Sequence, residues 1–311
     1  MKYEITQGQY VRFLNLLTAS QQASRTAVSV TSVAGTLVLA PSGSPNRNGI
    51  EITTPASGNP LSPAVYGLDL NNNGVYNEAA DGAHIACNYL SWYDLLAYLD
   101  WAALRPMTEL EFEKAARGPS SQGAPVLAAF AWNSTTILGA NAGALSNSGT
   151  ANEVSTSSGN GLCAYNSNVS THGPLRVGFA ATASTGRAGA GASFYGILDL
   201  SGNVWEQAYH IGYNAGSGNG AATGFTGVLG NGMVDALGNA DPTNWGLFVS
   251  SGGGQNGVVR SVVRGGQWSQ ITSEAVSADY CRISNRSFIT SGGGENGSRI
   301  SRTGGRGVRQ F

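Results

Sequence analysis

The sequence predicts an α+β fold: a few helices, small twisted antiparallel sheets and much irregular loop. Three observations predict it. Helical spacing of apolar residues is confined to the N-terminal part of the chain. Short alternating runs recur over the rest, and none is long. Finally, 45 glycines among 311 residues break the chain into turns. No internal repeat or sharp composition break divides it, so residues 1–311 read as one domain.

Taken in order, Thr6 is placed to cap a first helix over residues 7–17, with Tyr10, Phe13, Leu14 and Leu17 on one face. Residues 19–82 change character. Short runs at 28–33, 36–39 and 49–53 are separated by Ser, Gly, Pro and Asn, as in an inserted excursion of short strands. Ser91 begins a second helix carrying Trp92, Leu95, Leu96, Tyr98, Leu99 and Trp101. Pro106 separates it from a third, where Thr108 and Glu111 form a capping box and Leu110, Phe112 and Ala115 face inward. Trp92, Trp101 and Phe112 read as core, not as a sugar-stacking platform. Between 118 and 192 only 130–132 and 175–180 have strand character. Residues 212–257 read as an exposed insertion, and 261–265 as a strand feeding a Gly-Gly turn. Short segments at 278–287 and 303–309 close the chain.

Composition excludes several classes. Charged residues are 11%, against about a quarter in an average soluble domain, so Ser, Thr, Asn and Gly must cover the surface. A net charge of -1 gives no electrostatic footprint for nucleic acid or acidic lipid. No apolar run is long enough for a membrane span. No signal peptide is visible, which fits a cytoplasmic chain or one displayed by another route. Nothing demands more than a monomer. Three cysteines, Cys87, Cys163 and Cys281, are too few for a disulfide framework. His84, His172 and His210 are far apart, and neither type has zinc spacing.

Two stretches have the makings of a hard-cation site, where several oxygens must gather at one point. In residues 195–207 a tight Ser201-Gly202-Asn203 turn lies between Asp199 and Glu206, with Trp205 as a core anchor. The other is Asp69-Leu70-Asn71-Asn72-Asn73-Gly74, the first half of a calcium loop with oxygens at alternate positions and a Gly at the bend. The acid that closes an EF-hand is absent, since Ala80 stands at position twelve; Glu78 or Asp81 would close this one. The competing reading is an Asn-rich turn capped by its own side chains.

Four segments in order carry a family resemblance: residues 3–10, residues 105–118, residues 195–206 with their Gly-Asn-Val-Trp-Glu core, and Arg264-Gly265-Gly266-Gln267-Trp268. Together the chain resembles the formylglycine-generating enzyme, or sulfatase-modifying factor, family. The resemblance implies a C-type-lectin-like fold. It also implies structural calcium held by the side chains of Asp199 and Glu206 and the carbonyls of Gly202 and Val204. The family's closing motif has Phe where this chain has Gly305. In this family the C-terminal arginines (Arg299, Arg302, Arg306, Arg309) are expected in buried pairs.

Catalytic members use two cysteines shortly after the Gly-Gly turn, and two thiolates suit a soft copper ion. Residues 267–273 contain no Cys. Cys281 stands alone downstream, so the oxidase chemistry is expected to be absent. A related branch uses a three-His iron site, and its His cluster is missing too. Neither a nucleophile elbow nor a phosphate loop replaces them. The remaining expectation is binding. The C-terminal segment resembles the variable proteins of diversity-generating retroelements. The expected contact set is Gln267, Trp268, Tyr280, Cys281, Ser284, Asn285, Ser287, Phe288, Ile289 and Thr290, facing a protein or other macromolecular ligand. Tyr, Ser and Asn are the adaptable contacts that antibody loops also use. The alternative is an oxidase of the same family with an altered site.

Overall fold

Thr6 does cap a helix. Its hydroxyl accepts from Gln9 N–H and the Gln9 side chain reciprocates, starting α1 at Gln7–Asn15. The computed structural model describes residues 1–40, 44–119, 126–140, 145–166, 173–209, 225–242, 245, 261–269, 273–287 and 298–309. Ser91 and Thr108 cap α3 (Trp92–Trp101) and α4 (Glu109–Arg117) in the same reciprocal way. Between α1 and these lie α2 (Ala19–Arg25) and a hairpin of β1 (Ile50–Thr54) with β2 (Val65–Leu68).

The segment expected to be an excursion is part of the main core. Val38, Leu39, Ile50, Ile52, Tyr66 and Leu68 join Tyr10, Phe13 and Leu14 of α1 and Leu95, Leu96 and Leu99 of α3. A second cluster gathers Phe112 of α4 with Phe130, Trp132, Cys163, Leu200 and Cys281.

The sheet that positions the site is centred on β8 (Trp205–Tyr209). It pairs antiparallel with β9 (Ser261–Arg264), Glu206 opposite Arg264. It pairs parallel with β10 (Thr303–Gly304), Gly304 opposite Glu206. The chain then turns into β11 (Gly307–Val308), antiparallel to β3 (Arg105–Pro106) between α3 and α4. This path lays Arg306 over β8. Two small pairs complete the described sheets: β4 (Leu138–Gly139) with β7 (Leu162–Cys163), and β5 (Leu145–Ser146) with β6 (Val154–Ser155). A last helix, α5 (Glu274–Tyr280), is capped by Ser273.

Some expectations fail for a shared reason. Residues 130–132 and 175–180 are turns, although Phe130, Leu175 and Phe179 are buried. Their backbone is satisfied by side chains of the acid-bearing turn. Ala131 N–H donates to Ser201 and Leu175 N–H to Asn203, so no strand ladder is needed. Residues 28–33 are likewise turns, and 36–39 supply only a bridge from Leu37 to Glu51. Leu110 points outward, 56% exposed, while Phe112 is fully buried. The expected insertion at 212–257 lies largely outside the described residues.

Candidate functional site

The turn at Asp199 to Glu206 is built by close approach. Gly202 has φ of +93°, and a Cβ there would lie 2.3 Å from Cys163 Sγ, so only glycine fits. Its N–H donates to Gly265 O at 2.7 Å, tying the turn to the Arg264-Gly265-Gly266 turn. Asn203 holds the other side. Its amide donates to Glu4 at 2.7 Å, and Val204 N–H donates to the second Glu4 oxygen at 3.2 Å.

Three carboxylates therefore share one buried region: Glu4, Asp199 and Glu206. The cation among them is Arg306. Its Nε and Nη2 donate to the two Glu206 oxygens at 2.7 and 2.6 Å, and its Nη atoms also donate to Leu198 O and Lys2 O. Glu206 is 0% exposed and Arg306 1%. One Asp199 oxygen accepts from Gly178 N–H. Burial pushes all three carboxyls up: Glu4 well above its ordinary range, Asp199 to about 6, and Glu206 less, with Arg306 opposing.

Asp199, Gly202, Val204 and Glu206 accordingly do not fit a calcium ion as they stand. Both Glu206 oxygens serve a guanidinium, and a second cation beside it would be repelled. The calcium expected at this turn would have to displace Arg306 from Glu206. The expectation for the C-terminal arginines is met at Arg306 and at Arg299, which pairs with buried Asp94 at 2.8 Å. Arg302 instead lies over the Trp205 ring, 5.1 Å from its centroid.

The cysteines also need correcting. Cys281 does not stand alone, because the fold brings it beside Cys163, near enough for its sulfur to raise the cost of charging the Cys163 thiol. Both are free thiols and both are buried, Cys163 at 2% and Cys281 at 0% exposure. Cys163 Sγ donates to Ser201 O at 2.8 Å, and Cys281 Sγ to Ser277 O at 3.4 Å. Burial and the neighbouring sulfur push the Cys163 thiol well up, away from the thiolate form. Sequence spacing could not show this pair, since its members come from β7 and the end of α5.

The expected contact set divides. Gln267 and Trp268 are interior, at 2% and 5% exposure. Gln267 bonds both ways to the Ser269 backbone, and Trp268 Nε1 donates to Ser301 O at 3.0 Å. With Cys281, these two are packing residues, not contacts. Tyr280 is half-buried, edge-on to Trp205. Ser284 and Ser287 are exposed, and Asn285 is half-buried with its amide on Asp279. The segment is anchored from beneath. Arg282 donates to Ala128 O, Ile283 is buried, and Arg286 pairs with Glu109 and Glu113 of α4. Phe288, Ile289 and Thr290 lie outside the described residues.

A cavity of about 490 Å³ opens elsewhere, between α4 and β11, lined by Arg105, Lys114, Tyr195 and Arg309 among others but by neither thiol. Arg105 there is committed to Glu111 through both terminal guanidinium nitrogens. Among the described residues no group of three or more His, Cys, Asp or Glu is arranged as a metal centre. No described helix is long and apolar enough to cross a membrane.

These features, an α+β arrangement of small sheets and few helices with the Gly-Asn-Val-Trp-Glu turn packed on the Arg-Gly-Gly turn, agree with the comparison to protein families. The sulfatase-modifying factor enzyme 1-like domain matches residues 1–310, and the chain belongs to that family. No curated protein matches the chain.

Proposed function

We propose that this chain is a non-catalytic, ligand-binding member of its family, presenting the surface after α5 to a macromolecular partner in the manner of retroelement variable proteins. The observation that carries this reading is the fate of the thiols. Residues 267–273 have no Cys, and the two sulfurs that do meet are sealed in the core. A peptide cysteine and dioxygen would need an open, soft-metal site there. The outward side chains Ser284, Asn285 and Ser287, with Tyr280 beside them, sit on a segment held from below by Arg282 and Arg286. Pre-ordering of this kind favours binding, because little entropy is left to lose.

The second reading, an oxidase with an altered site, draws on the Cys163–Cys281 contact. The test is to offer the protein a Cys-Xaa-Pro-Xaa-Arg peptide with copper and oxygen and to look for the aldehyde. No turnover supports binding. Turnover that Cys281→Ser abolishes sinks the binding reading. Near the gene, a reverse transcriptase and a near-copy of the C-terminal coding segment, differing only at adenines, would mark the surface as diversified.

A further inference from the structure

Beyond that function, the loop from Asp69 to Asp81 stands out among the acidic regions. We propose that it is a calcium site, with Asp69, Asn71, Asn73 and Glu78 supplying side-chain oxygens, Val75 its carbonyl, and Asp81 closing the loop from the protein side.

The observation that points to a ligand is Asp81. Its side chain is wholly buried, yet Oδ1 has no hydrogen-bond partner, while Oδ2 accepts from Glu78 N–H at 2.7 Å. A buried carboxylate oxygen left without a partner is costly, because its lost hydration is not replaced. Asp81 faces the loop: the Asn71 backbone N–H is directed at its carboxylate, and the carboxylates of Asp69 and Glu78 are among its neighbours.

Charge supplies the second argument. Among the described residues, buried Asp94, Glu109, Glu153 and Glu206 each pair with an arginine, whereas buried Glu4, Glu51, Asp100 and Asp199 make no direct ion pair. The loop is set apart by gathering three acids without an ion pair in one short segment. Asp69, Glu78 and Asp81 form no ion pair among the described residues. What meets Glu78 Oε2 instead is the side-chain amides of Asn73 at 2.6 Å and Asn71 at 3.5 Å. Neutral amide donors balance no charge.

The donor set selects the ion. It is all oxygen, mixing carboxylate, amide and carbonyl, with no sulfur or imidazole in the set. A hard cation with a flexible coordination number is therefore favoured, calcium over the stricter octahedral magnesium. The three carboxylates do not yet converge as a closed centre, so the exposed arm with Asn71, Asn73 and Glu78 must draw in toward Asp81. Its bend is already set. Asp69 accepts from Asn73 N–H and Gly74 N–H, and Gly74 takes φ of +78° with open space around it.

The test is calorimetric titration of the full chain, first stripped with chelator, using calcium and then magnesium. One calcium per chain is expected. Affinity should fall about tenfold or more in Glu78→Gln and in Asp81→Asn. Glu78 is exposed, so its variant stays informative should Asp81→Asn fail to fold. Asp199→Asn should leave the affinity unchanged. No calcium heat in the parent overturns the site. So does calcium binding that survives Glu78→Gln or disappears in Asp199→Asn.

Discussion

Two acidic regions of this molecule look alike in sequence and differ in what balances them. At the Gly-Asn-Val-Trp-Glu turn, Glu206 and its neighbours Glu4 and Asp199 are met by Arg306, which arrives from 100 residues further along the chain. At the Asp69 to Asp81 loop no described arginine or lysine arrives, and a buried Asp81 oxygen stays unpartnered. The lesson is that a carboxylate-rich turn specifies a need for positive charge, not its source. The fold decides whether a side chain or an ion answers it. An internal guanidinium answers the first region, while among the described residues none answers the second.

The strongest way to break this contrast is to remove the internal cation. Arg306→Met leaves three buried carboxylates without their guanidinium and should cost about 3–5 kcal/mol, read from the urea midpoint at neutral pH. Added calcium should recover part of that loss, because the same oxygens then lack a counter-charge. An unchanged midpoint would mean that Arg306 is not what holds the cluster.

Calcium on the parent protein comes next. An ion that binds only the folded chain, at a hundred times its dissociation constant, stabilises it by about 2.7 kcal/mol. The melting temperature should rise in calcium and return with chelator. In Glu78→Gln the rise should shrink sharply, and in Asp199→Asn it should persist. A chelator effect lost only in Asp199→Asn would exchange the roles of the two regions.

A smaller effect appears with pH. Burial, reinforced by Glu206 and opposed by Gly178 N–H, Arg306 and Arg176, raises Asp199 from its ordinary 3.8 to about 6. Between those values the folded chain holds a proton that the unfolded chain has released. Stability therefore falls as pH rises through that window, and the group adds nothing to the slope outside it. Asp199→Asn should make the fall shallower, followed by thermal melts at several pH values. Glu4, raised in the same way, keeps part of the slope in the variant.

How much of this could be read from the sequence depended on where each group's partner lay. Helices α1, α3 and α4 were legible because Thr6, Ser91 and Thr108 bond to residues three positions on. The same signal, Thr18 with Gln21, announces α2, although the Ser-, Gly- and Asn-rich run that follows masks it. The two turns of the site were legible as motifs. Their chemistry was not. Glu4, between Tyr3 and Ile5 with Lys2 and Thr6 beyond, gave no signal of its burial, and the Cys163–Cys281 contact gave none, since it forms across 118 positions once the Gly202 and Gly266 turns have packed. Gln267 and Trp268 looked like surface by their place in a turn, yet the turn itself is interior.

The smallest expected effect is also the most discriminating. Asn73 is exposed, and among the described residues its side chain hydrogen-bonds to Val75 N–H and Glu78. In chelator, Asn73→Ala should therefore change stability by no more than about 0.5 kcal/mol, as surface substitutions commonly do. In calcium the same variant should lose a visible part of the ion's stabilisation, since one oxygen donor has gone. A merely structural Asn-rich turn, held by its own side chains, predicts the reverse: the same loss with and without calcium. Two melting curves of one variant thus separate a turn that is complete in itself from one that an ion completes.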